Sequence, residues 1–165
     1  MELVKLENFK RFYGFSLDSI IHLNPSECER IKCTFYSLYN VNSDKELFQR
    51  IIKHAAHLSV DAEKIGRAKD DLKLQEIFVS INIIPKPHIY IAWDSFNDVD
   101  TMPFDDFCKY FDDIWYPSAD DIGVFDDSFS WFVIITHYGE ILFVEQHLTS
   151  GSTSPERSVI CQTLV

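Results

Sequence analysis

The spacing of apolar residues changes once along this chain of 165 residues, and that change is the strongest constraint on its fold. Up to about residue 73, apolar side chains recur at the three- and four-residue spacing of an amphipathic helix. From residue 77 they alternate with polar ones, which is the period of a half-buried strand. We therefore predict an α+β fold in which N-terminal helices pack on one face of a mostly antiparallel sheet of four to five strands.

The length of the chain fits one domain, residues 1–165, whose core needs neither disulfides nor a metal. Its helical part is expected over about 1–73 and its sheet-rich part over about 74–148, and the polar tail 149–165 is expected to be loose. The four cysteines lack the spacing of a zinc site or of a redox pair. We therefore expect no cofactor.

Two helices are predicted before residue 40. The spacing of Leu3 and Phe9 indicates a short N-terminal helix, whereas the apolar run 15–23 fits a strand or a helix equally well. Asn24 followed by proline is a typical helix start, since asparagine caps the free N–H groups and proline suits the first turn. A helix over about 25–39 is predicted from this signal.

A further helix begins at a capping box, with Ser43 as the cap and Glu46 three residues later. Its apolar face extends to Leu58, and it should form an antiparallel hairpin with the preceding helix. The polar segment 61–73 fits either an exposed third helix or a mobile connection.

The sheet is predicted to begin with alternation over residues 77–84, a proline turn at 85–87 and a returning strand over 88–93. A short amphipathic helix should follow over about 103–114, and then a short strand over 121–125. Two final strands, over 130–137 and 140–145, are joined by a tight turn at Tyr138 and Gly139 and form the clearest hairpin in the sequence.

Negative charge is concentrated in residues 94–127. This stretch contains eleven aspartates, no glutamate and one lysine, a formal charge of −10 out of the −11 of the whole chain. Eight aromatic residues are interleaved with the aspartates, which a merely solubilising acidic segment would not contain. The combination predicts a folded, negative, adhesive surface that favours a basic protein partner and disfavours direct binding to nucleic acid.

Signals for catalysis are missing from the sequence. The five glycines are isolated and make no phosphate loop, and neither a G-x-S-x-G turn nor a cysteine with an orienting base is present. Asp98 and Asp100 begin a calcium-loop pattern that fails at its third ligand, so we expect no metal site. His137 is interpreted as a turn residue. Because the chain also lacks a signal peptide or an apolar span, we expect a cytoplasmic protein that is not an enzyme.

The segment 115–131, WYPSADDIGVFDDSFSW, followed by THYGE over 136–140, resembles small bacterial immunity proteins of polymorphic toxin systems, including those of contact-dependent growth inhibition. The likeness covers roughly residues 110–143 and does not extend to the first 70 residues. It implies a cytoplasmic, non-catalytic protein that binds and neutralises the C-terminal toxin domain of a cognate effector, commonly a nuclease.

The partner-binding residues follow from the charge and the resemblance together. We predict that six aspartates supply the charge and that two aromatic residues anchor the toxin; the set is Asp112, Asp113, Trp115, Tyr116, Asp120, Asp121, Asp126 and Asp127. Trp131 is expected in the core.

Two other functions remain open on the sequence alone. The aspartates could serve a metal-dependent enzyme, or the surface could belong to a general acidic adaptor for another basic protein. The sequence leaves open the activity of the toxin, whether its active site is covered, the oligomeric state and any contribution of residues 1–73 to the interface.

Overall fold

The computed structural model describes residues 1–59, 74–93, 95–117 and 119–145, in which the chain forms six helices and one seven-stranded antiparallel sheet. The segments predicted over 61–73 and 149–165 lie outside these ranges, as do Asp94 and Ser118. The predicted α+β class is confirmed, although the sheet has more strands than the four to five expected.

The helices are α1 (Leu3–Tyr13), α2 (Pro25–Tyr39), α3 (Asp44–His54), α4 (Leu74–Ser80), α5 (Phe104–Lys109) and α6 (Phe111–Ile114). The strands are β1 (Ile21–His22), β2 (Ala56–Ser59), β3 (His88–Trp93), β4 (Ser95–Pro103), β5 (Ile122–Phe125), β6 (Trp131–Ile135) and β7 (Glu140–Glu145). Their order across the sheet is β1-β4-β3-β5-β6-β7-β2, so β5 is the central strand. In the described part of the chain, every helix is too short or too polar to cross a membrane.

The predicted helix starts are confirmed by their hydrogen bonds. The Asn24 side chain accepts from the Glu27 N–H, and the Glu27 carboxylate accepts from the Asn24 N–H, which completes a capping box. Ser43 accepts from the Glu46 N–H at 3.3 Å. The Glu46 carboxylate takes the N–H of Asn42 instead of the N–H of the cap residue.

Helices cover both faces of the sheet. Phe132 and Trp131 are neighbours in β6 and therefore point to opposite faces. The Phe132 ring contacts Phe35 of α2, whereas the Trp131 ring contacts Phe78 of α4. On the α2 face the sheet is also covered by α3, so two of the predicted N-terminal helices share one face. The other face carries α4, α5 and α6, and also α1, which was expected to lie with the other N-terminal helices.

The predicted strand over residues 77–84 is wrong, because its first part is the end of α4. Leu74, Ile77, Phe78 and Ile81 are all buried, which is the i, i+3, i+4, i+7 spacing of a helix. Ile77 and Ile81 also belong to a two-residue alternation of apolar side chains, so the pattern alone could not distinguish a helix from a strand. β3 consequently pairs with β4 and β5 rather than with this segment.

The longest strand, β4, lies within the acidic stretch 94–127, at a place where no strand was predicted. Its residue Asp100 is buried and accepts hydrogen bonds from the Trp93 indole N–H at 2.7 Å and from the amino group of Met1. His22 Nδ1 of β1 lies 3.0 Å from the same carboxylate. Aspartate is unfavourable in strands, and the hydrogen bonds from Met1 and Trp93 offset the cost of burying Asp100 in β4.

Two further boundaries differ from the prediction. The helix expected to reach residue 58 ends at His54, and residues 56–59 form β2, which pairs with β7 at the edge of the sheet. The helix expected over 103–114 is divided by Tyr110 into α5 and α6. The predicted strand over 121–125 and the final hairpin are confirmed, with Gly139 at a positive φ of 84° in the turn.

Candidate functional site

Two sequence segments that carry the resemblance meet at one end of the sheet. Asp121 precedes β5, and His137 follows β6; because these strands are antiparallel neighbours, the start of one lies beside the end of the other. The Asp121 Oδ1 atom accepts from the His137 backbone N–H at 2.7 Å, and His137 Nδ1 lies 2.9 Å from the same oxygen. This end of the sheet is called the Asp121 end below.

The carboxylate of Asp120, the neighbour of Asp121, is bound by donors of the protein itself. The ammonium group of Lys5 on α1 lies 2.5 Å from its carboxylate, and the Tyr116 N–H donates to the same carboxylate at 2.6 Å. Lys5 is buried, and its ammonium lies 4.4 Å from the centre of the Trp93 ring. The charge of Asp120 is therefore balanced within the molecule.

Two side chains at the Asp121 end face the solvent, and a third is partly buried. The Asp121 side chain is 47% exposed, and Tyr138 in the hairpin turn is 72% exposed, with its ring centre 3.8 Å from that of His137. Tyr116 is partly buried, and its ring centre lies 4.9 Å from the Lys5 ammonium. The accessible surface at this end is thus one carboxylate beside aromatic rings.

A cavity of about 280 Å³ opens beside Asp121, between α3 and the sheet. Phe48 and Ile52 of α3 form one wall, and Ile134 and Leu142 of the sheet are among the residues opposite. The polar lining groups in the described residues are Ser95, Asp121 and Thr136. A small apolar group with a positive or hydrogen-bonding neighbour matches this lining.

Gly123 forms part of the cavity wall and allows the Phe132 ring to approach the backbone of β5. A Cβ atom at this glycine would lie 2.4 Å from Cζ of Phe132, which is closer than real carbon atoms approach. Phe132 is buried and itself lines the cavity. The glycine is therefore required by the close contact of the ring with the strand.

The opposite end of β5 carries Asp126 and Asp127. Asp126 is 1% exposed and accepts from the Trp131 indole N–H at 2.9 Å and from the backbone N–H groups of Lys86 and Ser128, both at 2.9 Å. The Ser128 hydroxyl also donates to it. Asp127 is 61% exposed and lies 2.6 Å from the Lys86 ammonium.

The environment of Asp126 keeps its carboxyl ionised. Burial by itself raises the pKa of this group, but the hydrogen bonds from Ser128, from the Lys86 N–H and from Trp131 lower it. The net effect holds the pKa of Asp126 below its ordinary value of 3.8. Asp126 thus anchors the loop between β5 and β6.

Asp112 and Asp113 lie in a third place, on α6 next to the end of α1. The Tyr13 hydroxyl donates to the Asp113 carboxylate at 2.8 Å. Burial and this carboxylate raise the pKa of Tyr13 to about 12. The rings of Phe12 and Phe15 are exposed close by, so this region is also acidic and aromatic.

The eight predicted partner-binding residues therefore do not form one surface. Tyr116, Asp120 and Asp121 lie together at the Asp121 end, whereas the other aspartates lie at the far end of β5 or on α6. Two assignments are corrected: Trp115 is 0% exposed and stacks on Phe111, and Asp126 is buried, so neither contacts a partner in this conformation. Trp131 is buried as expected.

Sequence reasoning missed two solvent-facing residues of this region. Tyr138 lies at the tip of a hairpin that the sequence identifies correctly, and an aromatic residue in a tight turn has little to pack against, so its exposure could have been inferred. Ile52 carried no such signal, because its spacing in α3 matches that of the buried residues.

One group of side chains in the described residues has the donor types of a metal site. Ligand atoms of His22, Asp98 and Asp100 lie within 4.8 Å of one another. The amino group of Met1 already contacts both carboxylates, and Trp93 donates to Asp100. A cation at this position would have to displace these donors.

The comparisons with known proteins supply no relative for this site. No protein-family model, no curated protein and no solved structure matches the chain. The functional argument therefore rests on the residues of the chain itself and on their positions.

Proposed function

We propose that this protein is an immunity protein that binds and neutralises the toxin domain of a cognate effector, a basic domain of the nuclease class. The observation that carries the proposal is the junction of Asp121 with His137, which joins the segments 115–131 and 136–140 of the resemblance at one solvent-facing end of the sheet. In the proposal, the protein acts in the cytoplasm and by stoichiometric blocking.

The physical basis of the proposal is charge complementarity. A nuclease presents lysine and arginine side chains to phosphate, and the exposed Asp121 carboxylate attracts the same side chains. Such steering raises association rates towards roughly 10⁸ to 10⁹ M⁻¹s⁻¹ at low salt. Tyr138 and Tyr116 are the aromatic candidates for slow dissociation, in place of the buried Trp115.

The test begins with the gene next to the one that encodes this chain, where the proposal expects a large secreted effector. Its C-terminal domain is expressed with and without this protein, and growth of the cells and co-purification are measured. We expect growth only in the presence of this protein and a complex of equal stoichiometry. Unimpeded toxicity together with no complex would overturn the proposal.

A pair of charge reversals tests which end of β5 binds. Asp121→Lys should weaken the complex at least tenfold at low salt, because it places a positive charge against a basic surface. Asp127→Lys is the matched control at the other end and should leave binding unchanged. Equal losses of affinity for the two variants would show that the interface includes both ends of β5.

The two alternatives from the sequence stay predictions with tests of their own. A metal-dependent enzyme requires a heat of binding or a shift in melting temperature with Mg²⁺, Ca²⁺ or Mn²⁺. A general adaptor requires a stable basic partner in cells that lack any toxin gene. Neither result is expected if neutralisation of a toxin is the function.

A further inference from the structure

We infer that the cavity beside Asp121 receives one apolar side chain of the toxin domain, and that a lysine or arginine next to it in the toxin meets the Asp121 carboxylate. This inference rests on the proposed function and adds to it the contact that determines affinity. It concerns only the described residues of the cavity.

The size of the cavity favours a single side chain. Its volume of about 280 Å³ is at the lower limit of small-molecule pockets, which run from roughly 300 to 1,000 Å³. The deeper residues, Ala92, Gly123 and Phe132, are buried and apolar. Burying an aliphatic or aromatic side chain there would contribute about 1.5–3 kcal/mol by the removal of apolar surface from water.

The carboxylate at the cavity determines what stands next to that side chain. Both contacts of His137 are made to Oδ1 of Asp121, so within the described residues Oδ2 keeps its lone pairs for a donor from outside. A charged group of the toxin would lose its hydration inside the apolar cavity. Beside Asp121, whose side chain is half exposed, the same charged group keeps part of its hydration. The cationic residue therefore belongs beside the cavity and the apolar residue inside it.

Ile52 provides the variant that separates this arrangement from simple charge attraction. Its side chain lines the cavity and is half exposed, so a polar replacement is compatible with folding. Ile52→Asp removes apolar wall and adds a negative charge. Charge attraction alone predicts tighter binding of a basic toxin domain, and an apolar anchor predicts weaker binding.

The experiment measures association and dissociation rates of the toxin domain with the full chain. We expect Ile52→Asp to raise Kd about tenfold or more through faster dissociation, and Asp121→Asn to slow association at low salt only. Ile84→Asp, at an exposed isoleucine that does not line the cavity, and Asp105→Asn, at an exposed aspartate outside the predicted binding set, are the matched controls and should behave as the wild type.

The outcomes separate the two proposals. If the wild-type protein does not bind the toxin domain, the proposed function fails. If the wild type binds and Ile52→Asp binds equally well or better, only the inference about the cavity is overturned. A change in the sedimentation of the free protein on Ile52→Asp would assign the cavity to a second copy of this chain, which also overturns the inference.

Discussion

Two pairs of adjacent aspartates flank the central strand β5, and the members of each pair differ in the same way. Asp120 and Asp126 are bound from inside, by Lys5 and by a set of N–H and O–H donors respectively. Asp121 and Asp127 point to the solvent. The pairs are separated by the four residues of β5, which makes Asp121 and Asp126 roughly 16 Å apart along the extended chain.

This comparison shows that formal charge in a sequence overstates the charge that a partner meets. Asp100, Asp120 and Asp126 belong to the same acidic stretch, and each is engaged by internal donors. Buried carboxylates require such donors because an unpaired charge in the interior is costly. The two ends of β5 are alike in their inner aspartates, and at one of them the outer aspartate, Asp121, lines the cavity.

The largest expected effect comes from removing the partner of Asp120. Lys5→Met should lower the free energy of unfolding by about 3–5 kcal/mol, because it leaves a largely buried carboxylate without its cation. Urea denaturation measures the change. The double variant Lys5→Met with Asp120→Asn should recover part of the loss, and a double variant no more stable than Lys5→Met would show that Lys5 acts through packing alone.

The second-largest loss of stability is expected when the Asp126 carboxylate is removed. Asp126→Ala leaves the Trp131 indole N–H and the Lys86 N–H without their acceptor, and the free energy of unfolding should fall by about 3 kcal/mol. Chemical denaturation followed by tryptophan fluorescence measures this loss. The control is Asp127→Ala. If the two alanine variants were equally stable, Asp126 and Asp127 would not differ in their contribution to the stability of the fold.

The pH dependence of stability sharpens the role of Asp126. Its pKa is lowered by folding, so the unfolded chain binds a proton at a higher pH than the folded chain does. The stabilisation is complete well above the ordinary value of 3.8 and is lost as the pH falls through the lower, folded pKa. The stability difference between the wild type and Asp126→Asn should therefore shrink below about pH 4. A difference that stays constant from pH 6 to pH 3 would contradict the assignment.

The smallest effects are expected at the outer aspartates. Asp121→Asn and Asp127→Asn should leave the midpoint of thermal unfolding almost unchanged, because an asparagine oxygen can still accept from the His137 N–H and the exposed ion pair of Asp127 with Lys86 contributes little. Differential scanning calorimetry at low and physiological salt measures both. A large loss for Asp121→Asn would mean that its bonds to His137 stabilise the fold, and binding data on that variant would then need correction for folding.

Local signals in the sequence were sufficient for several elements. Asn24 and Ser43 start helices because their side chains bond to N–H groups only three residues away. The β6–β7 hairpin follows from alternation on both sides of a turn at Gly139, whose positive φ suits glycine. These features depend on neighbours in the chain and so can be read from it.

Other features depended on residues far apart. The segment 74–81 satisfies both the helical and the extended period, and its helix is selected by contacts such as that of Phe78 with Trp131. The strand β4 contains an aspartate whose donors come from Met1 and Trp93. No local rule reveals such partners.

The sequence by itself determined the class of fold, the helix starts, the last hairpin and the concentration of aspartates around β5. The tertiary structure alone decided which of those aspartates a partner can reach, because Lys5 meets Asp120 across 115 residues of chain. It also decided that Trp115 is core and that a cavity lies beside Asp121. Burial is a property of the whole fold, whereas capping, turns and periodicity are properties of short segments.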